Sequence, residues 1–220
     1  PEGAPRLMAQ ASPATHRPPG LSPPSDKVGQ WQTTRPQRRP GIGWAGRTAD
    51  LLQELNANQK VPMNISLDGS NVWQTGNDVA EYAITTGGAV ALQNYKFGWQ
   101  QYDTGSQAFS QGVDSQLALQ YSNVLMQTFN SRKKAALDAY NAFTTATSAA
   151  LPGGVTFPAT YIGSRLQMIA KAIQGHAHAS LGAVRQTFFI NWGGWDHHSG
   201  VLTYQSQMLP QVSAAIGAFY

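Results

Sequence analysis

Gln186-Thr-Phe-Phe-Ile-Asn-Trp-Gly-Gly-Trp-Asp-His-His198 is an apolar run that breaks at two glycines and delivers a carboxylate beside two imidazoles. Phe188, Phe189, Ile190 and Trp192 are residue types that fill a strand covered on both faces. Gly193 and Gly194 admit backbone geometries that other residues resist. The stretch reads as a buried strand emptying into a polar site, with Asp196 just past the strand's carboxyl end. Open α/β sheets bind their ligands at that edge.

Working outward, Ile162, Leu166, Ile169, Ala170 and Ile173 form an apolar stripe that predicts an amphipathic helix over 160–178, lying on the sheet. Downstream, Met208, Leu209, Val212, Ala215, Ile216 and Phe219 mark a last helix, in which Pro210 must stand near the first turn or cause a kink. Helix, strand, site and helix in succession give an α/β layer fold. Upstream, 110–148 reads as helical through Val113, Leu117, Tyr121, Val124, Leu125 and Thr128, then Ala135, Ala136, Tyr140 and Phe143. Leu151-Pro-Gly-Gly154 stops it. Residues 93–107 read as a loop anchored by Tyr95, Trp99 and Tyr102. Val61–Leu67 reads as a strand, Asp68-Gly-Ser-Asn71 as a turn, and the segment through Ala91 as a small β excursion. Leu51, Leu52 and Leu55 predict a short helix after Gly46-Arg-Thr48.

The first 40 residues differ in kind. Pro13, Pro18, Pro19, Pro23, Pro24, Pro36 and Pro40 resist helix, so 1–40 is expected to be an extended basic arm, with 41–220 as the α/β domain. Such an arm is either a solvated tail or a segment ordered against a protein partner. The formal charge of +4 belongs to it: residues 1–47 carry seven Lys/Arg against two acids, the remainder eight against nine. Arg35, Arg38 and Arg39 lack the aromatic platform or folded basic face of a nucleic-acid module, so no nucleic-acid partner is expected. No apolar run approaches the roughly 20 residues of a membrane helix. The absence of cysteine removes disulfides and thiolate metal sites. A chain beginning Pro-Glu-Gly, with no apolar leader, reads as internal or processed. The polar, charge-poor remainder fits a bacterial protein exported to the periplasm or cell exterior.

Asp196, His197 and His198 form the one compact cluster of candidate ligands. A carboxylate with an imidazole suits zinc or a similar divalent ion, with further ligands arriving from elsewhere. In an extended segment alternate side chains share a side, so Asp196 and His198 can face one ion while His197 faces away. Alternatively Asp196 caps the following helix and the histidines are surface groups. His176 and His178, two apart on the predicted helix, project to different faces. His16 has no local partner. A Gly-x-Ser-x-Gly elbow and a phosphate-binding glycine loop are both absent.

Gly193-Gly-Trp-Asp-His-His198, with the strand before it and the helix ending Ala-Ile-Gly-Ala-Phe-Tyr220 after it, resembles the GG-F/W-D-T-H motif of the domain-of-unknown-function 1501 family. That family is similar to the alkaline phosphatase and sulfatase superfamily. Gly43-Trp-Ala-Gly-Arg47, with Trp31 and Thr15-His16 upstream, looks like the family's earlier GW-x-GR region. The resemblance spans about His16 to Tyr220. It implies an α/β/α sandwich with a metal-capable site in an exported protein, Asp196 and His198 taking the motif aspartate and histidine, and His197 standing where threonine is usual. It also implies an opening strand before residue 1 and an Asp-His-Gly segment after residue 220, so that the fold and site are incomplete in these 220 residues. Two functions follow as expectations: a metal-dependent phosphate or sulfate ester hydrolase whose nucleophile is not assigned, or a non-catalytic component of a periplasmic or cell-surface assembly.

Overall fold

Backbone extension at Asn64–Ser66 (β1), Tyr82–Ala83 (β2) and Thr187–Phe189 (β3) builds a parallel sheet in the order β2-β1-β3. Ile65 pairs with Tyr82 on one side and Phe188 on the other. The computed structural model describes residues 24–34, 41–56, 58–96 and 103–220. Its helices are α1 (Pro24–Thr33), α2 (Trp44–Leu52), α3 (Thr104–Ala118), α4 (Val124–Ala146), α5 (Tyr161–Gln174) and α6 (Val201–Phe219). The protein is therefore mixed α/β with a small parallel sheet, as the alternation of patterns implies. Among the described residues no helix is long and apolar enough to cross a membrane.

Strand alternation sends Ile65 and its even-numbered neighbours to opposite faces. Ile65 is fully buried in a cluster with Ala139, Phe143, Ile169 and Ala172, from the second half of α4 and from α5. On the other face, Asn64 and Ser66 are equally buried but polar, and they need partners there. Ser66 Oγ donates to the Gly69 carbonyl and accepts from Asn71 Nδ2, while Asn64 meets the backbone carbonyl of Gln74, on a 3-10 turn at Val72–Gln74. The Gln74 amide Nε2 donates to the Ile65 carbonyl at 3.1 Å and the Thr187 carbonyl at 3.3 Å, while its backbone carbonyl accepts from Asn64 Nδ2 at 2.8 Å. The Thr187 hydroxyl donates to Asn64 Oδ1 at 2.6 Å, which joins β1 to β3 by side chains as well as by the ladder.

The Gly43-Trp-Ala-Gly-Arg47 motif has a packing reason. A Cβ on Gly43 would stand 2.1 Å from the carbonyl oxygens of Val72 and Trp73, and one on Gly46 would stand 2.0 Å from that of Thr75. Only glycine lets the first turn of α2 lie directly on the 72–76 backbone. The helix accordingly begins at Trp44, before the Gly46-Arg-Thr48 segment that the leucine pattern indicates. Asp50 fixes the far end of this contact by accepting the backbone N–H groups of Asn77, Asp78 and Val79 at 2.7–3.0 Å. Arg47 reaches back to α1, donating to the Thr33 carbonyl and the Thr34 hydroxyl, both at 3.0 Å.

Several expectations change. The arm is not extended throughout: α1 occupies Pro24–Thr33, with Pro24 at a first helical position, where its missing N–H is no loss. The rest of the arm, His16 and Arg35, Arg38 and Arg39 included, lies outside the described residues, as do Trp99 and Tyr102. The 110–148 region is two helices, because Asn123 starts a new one by accepting the N–H groups of Leu125 and Met126. Asp103 caps α3 in the same way, which makes 104–107 helical. Helix α5 stops at Gln174, four residues short of 178, so His176 and His178 lie in the turns beyond it. Pro210 sits in the middle of α6, where it removes one rung of the helical ladder.

Candidate functional site at the sheet edge

The carboxyl ends of β1 and β3 leave the sheet side by side, and the Leu67 N–H still bonds the Phe189 carbonyl at 3.0 Å. One residue past Leu67 and two past Phe189 stands a polar latch. Asp68 Oδ2 accepts the Asn191 N–H at 2.8 Å. Its Oδ1 accepts Arg165 Nη2 at 2.9 Å, with Arg165 Nε at 3.2 Å, and the Tyr161 hydroxyl at 2.7 Å. That hydroxyl also lies 2.7 Å from the Asn191 carbonyl, so its single proton has two acceptors. Asp68 is 14 % exposed and Arg165 17 %. Burial raises the Asp68 carboxyl pKa, but the bonds from Arg165, Tyr161 and Asn191 outweigh it and hold the group below the usual aspartate range. Burial, then the Asp68 contact, raises the Tyr161 phenol above its ordinary value.

Aromatic rings carry this latch outward. The Arg165 guanidinium lies 3.4 Å from the Tyr161 ring centroid, Trp192 stacks on Tyr161 at 5.9 Å, and Trp195 meets the Trp192 edge at 5.2 Å. Gly194, at φ +85°, turns the chain here as the double glycine implies.

The structure brings together part of the sequence-derived cluster. His198 Nε2 lies 3.6 Å from Asp196 Oδ2, and both side chains open to solvent, 90 % and 92 % exposed. His197 turns away and stacks on Tyr204 with centroids 5.1 Å apart, its Nε2 buried without a hydrogen-bond partner. Two details differ from the sequence reading. Asn191, not Asp196, is the residue at the strand's tip, because β3 ends at Phe189 and the chain runs on for six residues before Asp196. Asp196 does not cap the next helix either, since Gly200 in the left-handed conformation takes that position. His176 and His178 bond locally, Nδ1 to the Ile173 carbonyl and Nδ1 to the Ser180 hydroxyl, and lie apart from this cluster in sequence.

No family model, curated protein or solved structure matches the chain. The resemblance to the domain-of-unknown-function 1501 family thus rests on the motif residues themselves.

As a donor set, Asp196 oxygen and His198 nitrogen are the right chemistry for zinc or a similar ion, and they supply two positions of a tetrahedral four. Among the described residues no group of three His, Asp or Glu stands together. Sequence reasoning missed Asp68, Tyr161, Arg165 and Asn191. Asp68-Gly-Ser-Asn71 carries an ordinary turn signal, and the partners of Asp68 lie 93 to 123 residues away.

Proposed function

We propose that the chain belongs to an exported protein of the alkaline phosphatase/sulfatase type, built on an α/β/α sandwich, whose activity is metal-dependent hydrolysis of phosphate or sulfate esters. The observation that carries this reading is the outward-facing Asp196–His198 pair on the loop leaving β3. A divalent ion held there would polarise a phosphoryl or sulfuryl oxygen. The chain's own residues prepare the place. Asp68 pins the Asn191 N–H and so fixes where the loop departs, Tyr161 and Arg165 hold Asp68, and the ring pair of His197 and Tyr204 sets the loop against α6. Helices on both faces of the sheet, α4 and α5 against Ile65 and α2 beside the 72–76 segment, support the layered fold.

Calorimetric titration of the full-length protein with zinc and with manganese tests the reading. Near-stoichiometric binding is expected, lost in Asp196→Ala and weakened at least tenfold in His198→Ala, with His197→Ala close to wild type. A protein that takes up neither ion refutes it.

A second reading, a non-catalytic part of a periplasmic or cell-surface assembly, is favoured by α6. That helix has no charged residue and leaves Leu202, Leu209 and Ile216 exposed. Intact ester-hydrolase assays with no turnover, alongside retained metal binding, would select it.

A further inference from the structure

The turn between α3 and α4 carries an exposed apolar end followed by three cations, with Asp138 one turn beyond the last of them. Burial along α4 is uneven: Ala139, Ala142, Phe143 and Ala146 enter the core, whereas Asn130 is the sole buried residue of the first half. The first half therefore projects from the body. At its end stand Val124, Leu125, Met126 and Phe129, with Leu119 from the preceding loop; Leu125 is 80 % and Phe129 71 % exposed. Fraying does not account for them, because the hairpin end is bonded from several sides. Asn130 Nδ2 donates to the Leu117 and Leu119 carbonyls, the Tyr121 N–H donates to Gln127 Oε1, and Asn123 caps α4.

Arg132, Lys133 and Lys134 follow directly, and 115–134 contains no Asp or Glu. None of the three cations forms an ion pair among the described residues, and the nearest acid upstream, Asp114, is taken by Lys96 and the Tyr95 hydroxyl. At 1.5 Å per residue, Lys133 stands about 12 Å behind Leu125 along the helix axis. If the hairpin enters end-on and buries its apolar tip about 5–10 Å into the headgroup and acyl boundary, cations about 12 Å behind the tip come level with the lipid phosphates.

We propose that the α3–α4 hairpin docks this protein on an anionic bilayer surface, Leu125, Met126 and Phe129 entering the interface and Arg132, Lys133 and Lys134 meeting the headgroup phosphates. Leu125, Met126 and Phe129 also line a shallow groove with Val113 and Leu117 of α3, and an anionic bilayer is favoured over an apolar peptide there because three cations follow these side chains along α4. This proposal is independent of the Asp196–His198 reading.

The experiment is co-sedimentation of the protein with vesicles of phosphatidylcholine alone and of phosphatidylcholine with 30 mol% phosphatidylglycerol as a chosen composition, roughly at low and high salt. Binding is expected on the anionic vesicles, falling as salt rises. Lys133→Gln with Lys134→Gln should lower partitioning about fivefold per residue. Leu125→Asp and Phe129→Asp should each lower it about tenfold or more. Since the chain has no cysteine, Leu125→Cys carries a single environment-sensitive dye whose emission should shift to the blue with anionic vesicles. No binding to the anionic vesicles, equal binding to both compositions, or capture by soluble polyglutamate that Phe129→Asp leaves unchanged each overturns the proposal.

Discussion

Asp68→Ala tests the sheet-edge latch. The change removes the acceptor for the Asn191 N–H, the Tyr161 hydroxyl and two Arg165 nitrogens at once. Breaking a buried ion pair by deleting one partner costs about 3–5 kcal/mol, because the other charge stays behind unpaired. Here both side chains keep some solvent contact, and Arg165 retains the Tyr161 ring and carbonyl, so the lower end, about 3 kcal/mol, is expected. With a urea slope of about 2–3 kcal/mol/M, the unfolding midpoint should fall by about 1 M. Asp68→Asn keeps the shape and one acceptor and should lose about half as much. Urea titration at pH 7 followed by tryptophan fluorescence reads the shift, with Trp192 reporting locally through its stack on Tyr161. Combined with Arg165→Ala, the two single changes should be non-additive by more than about 1 kcal/mol. A midpoint shift under about 0.2 M, or additive singles, refutes the claim that this contact holds the strand exits together.

Two further outcomes follow from the geometry. Gly46→Val should destabilise the protein by about 3 kcal/mol or abolish soluble expression, because its Cβ meets the Thr75 carbonyl; Gly112→Ala, inside α3 with open space around it, should stabilise by about 0.5–1 kcal/mol, and thermal melts of the pair check both. Asp50 and Asp68 titrate below the ordinary aspartate value despite burial, through backbone N–H groups in one case and Arg165, Tyr161 and Asn191 in the other. A carboxyl depressed on folding contributes stability that is full above its unfolded value of about 4 and disappears as pH falls through the folded one. Urea midpoints taken from pH 6 downward should therefore drop below about pH 4, and the drop should be shallower in Asp68→Asn; equal slopes contradict it.

What the sequence disclosed follows the range of each interaction. The run at 186–192 announces a strand, but β3 is an outer strand of the sheet and only half-buried, not covered on both faces as its residue types suggest, whereas Val61–Leu67 announces β1, which is fully buried; only three residues of each pair in the ladder. The α5 pattern locates the helix, yet Met168 and Ala172 are buried while Ile173 is 42 % exposed, since the contact face is set by α4 and the sheet. Asp196 and His198 declare themselves by adjacency, and the structure does set them near each other. The latch stays hidden because Asp68, Tyr161, Arg165 and Asn191 are unremarkable in their own neighbourhoods. Gly43 and Gly46 stand out in the sequence only through the GW-x-GR likeness, and their packing reason, a carbonyl some 30 residues downstream, is a tertiary fact.

The pairing of Asn64 with Thr187 joins segments 123 residues apart. During synthesis Ile65 can meet Tyr82 early but must wait until β3 has emerged to meet Phe188, while α3 and α4, neighbours in the chain, can assemble first. Closing a loop of that length slows the step, so the pairing of β1 with β3 should be the slow, late event in folding. The edge carrying Asp68 and Asn191 would then come into being last of all, and a chain stalled before residue 187 would present helices without the seam that orders them.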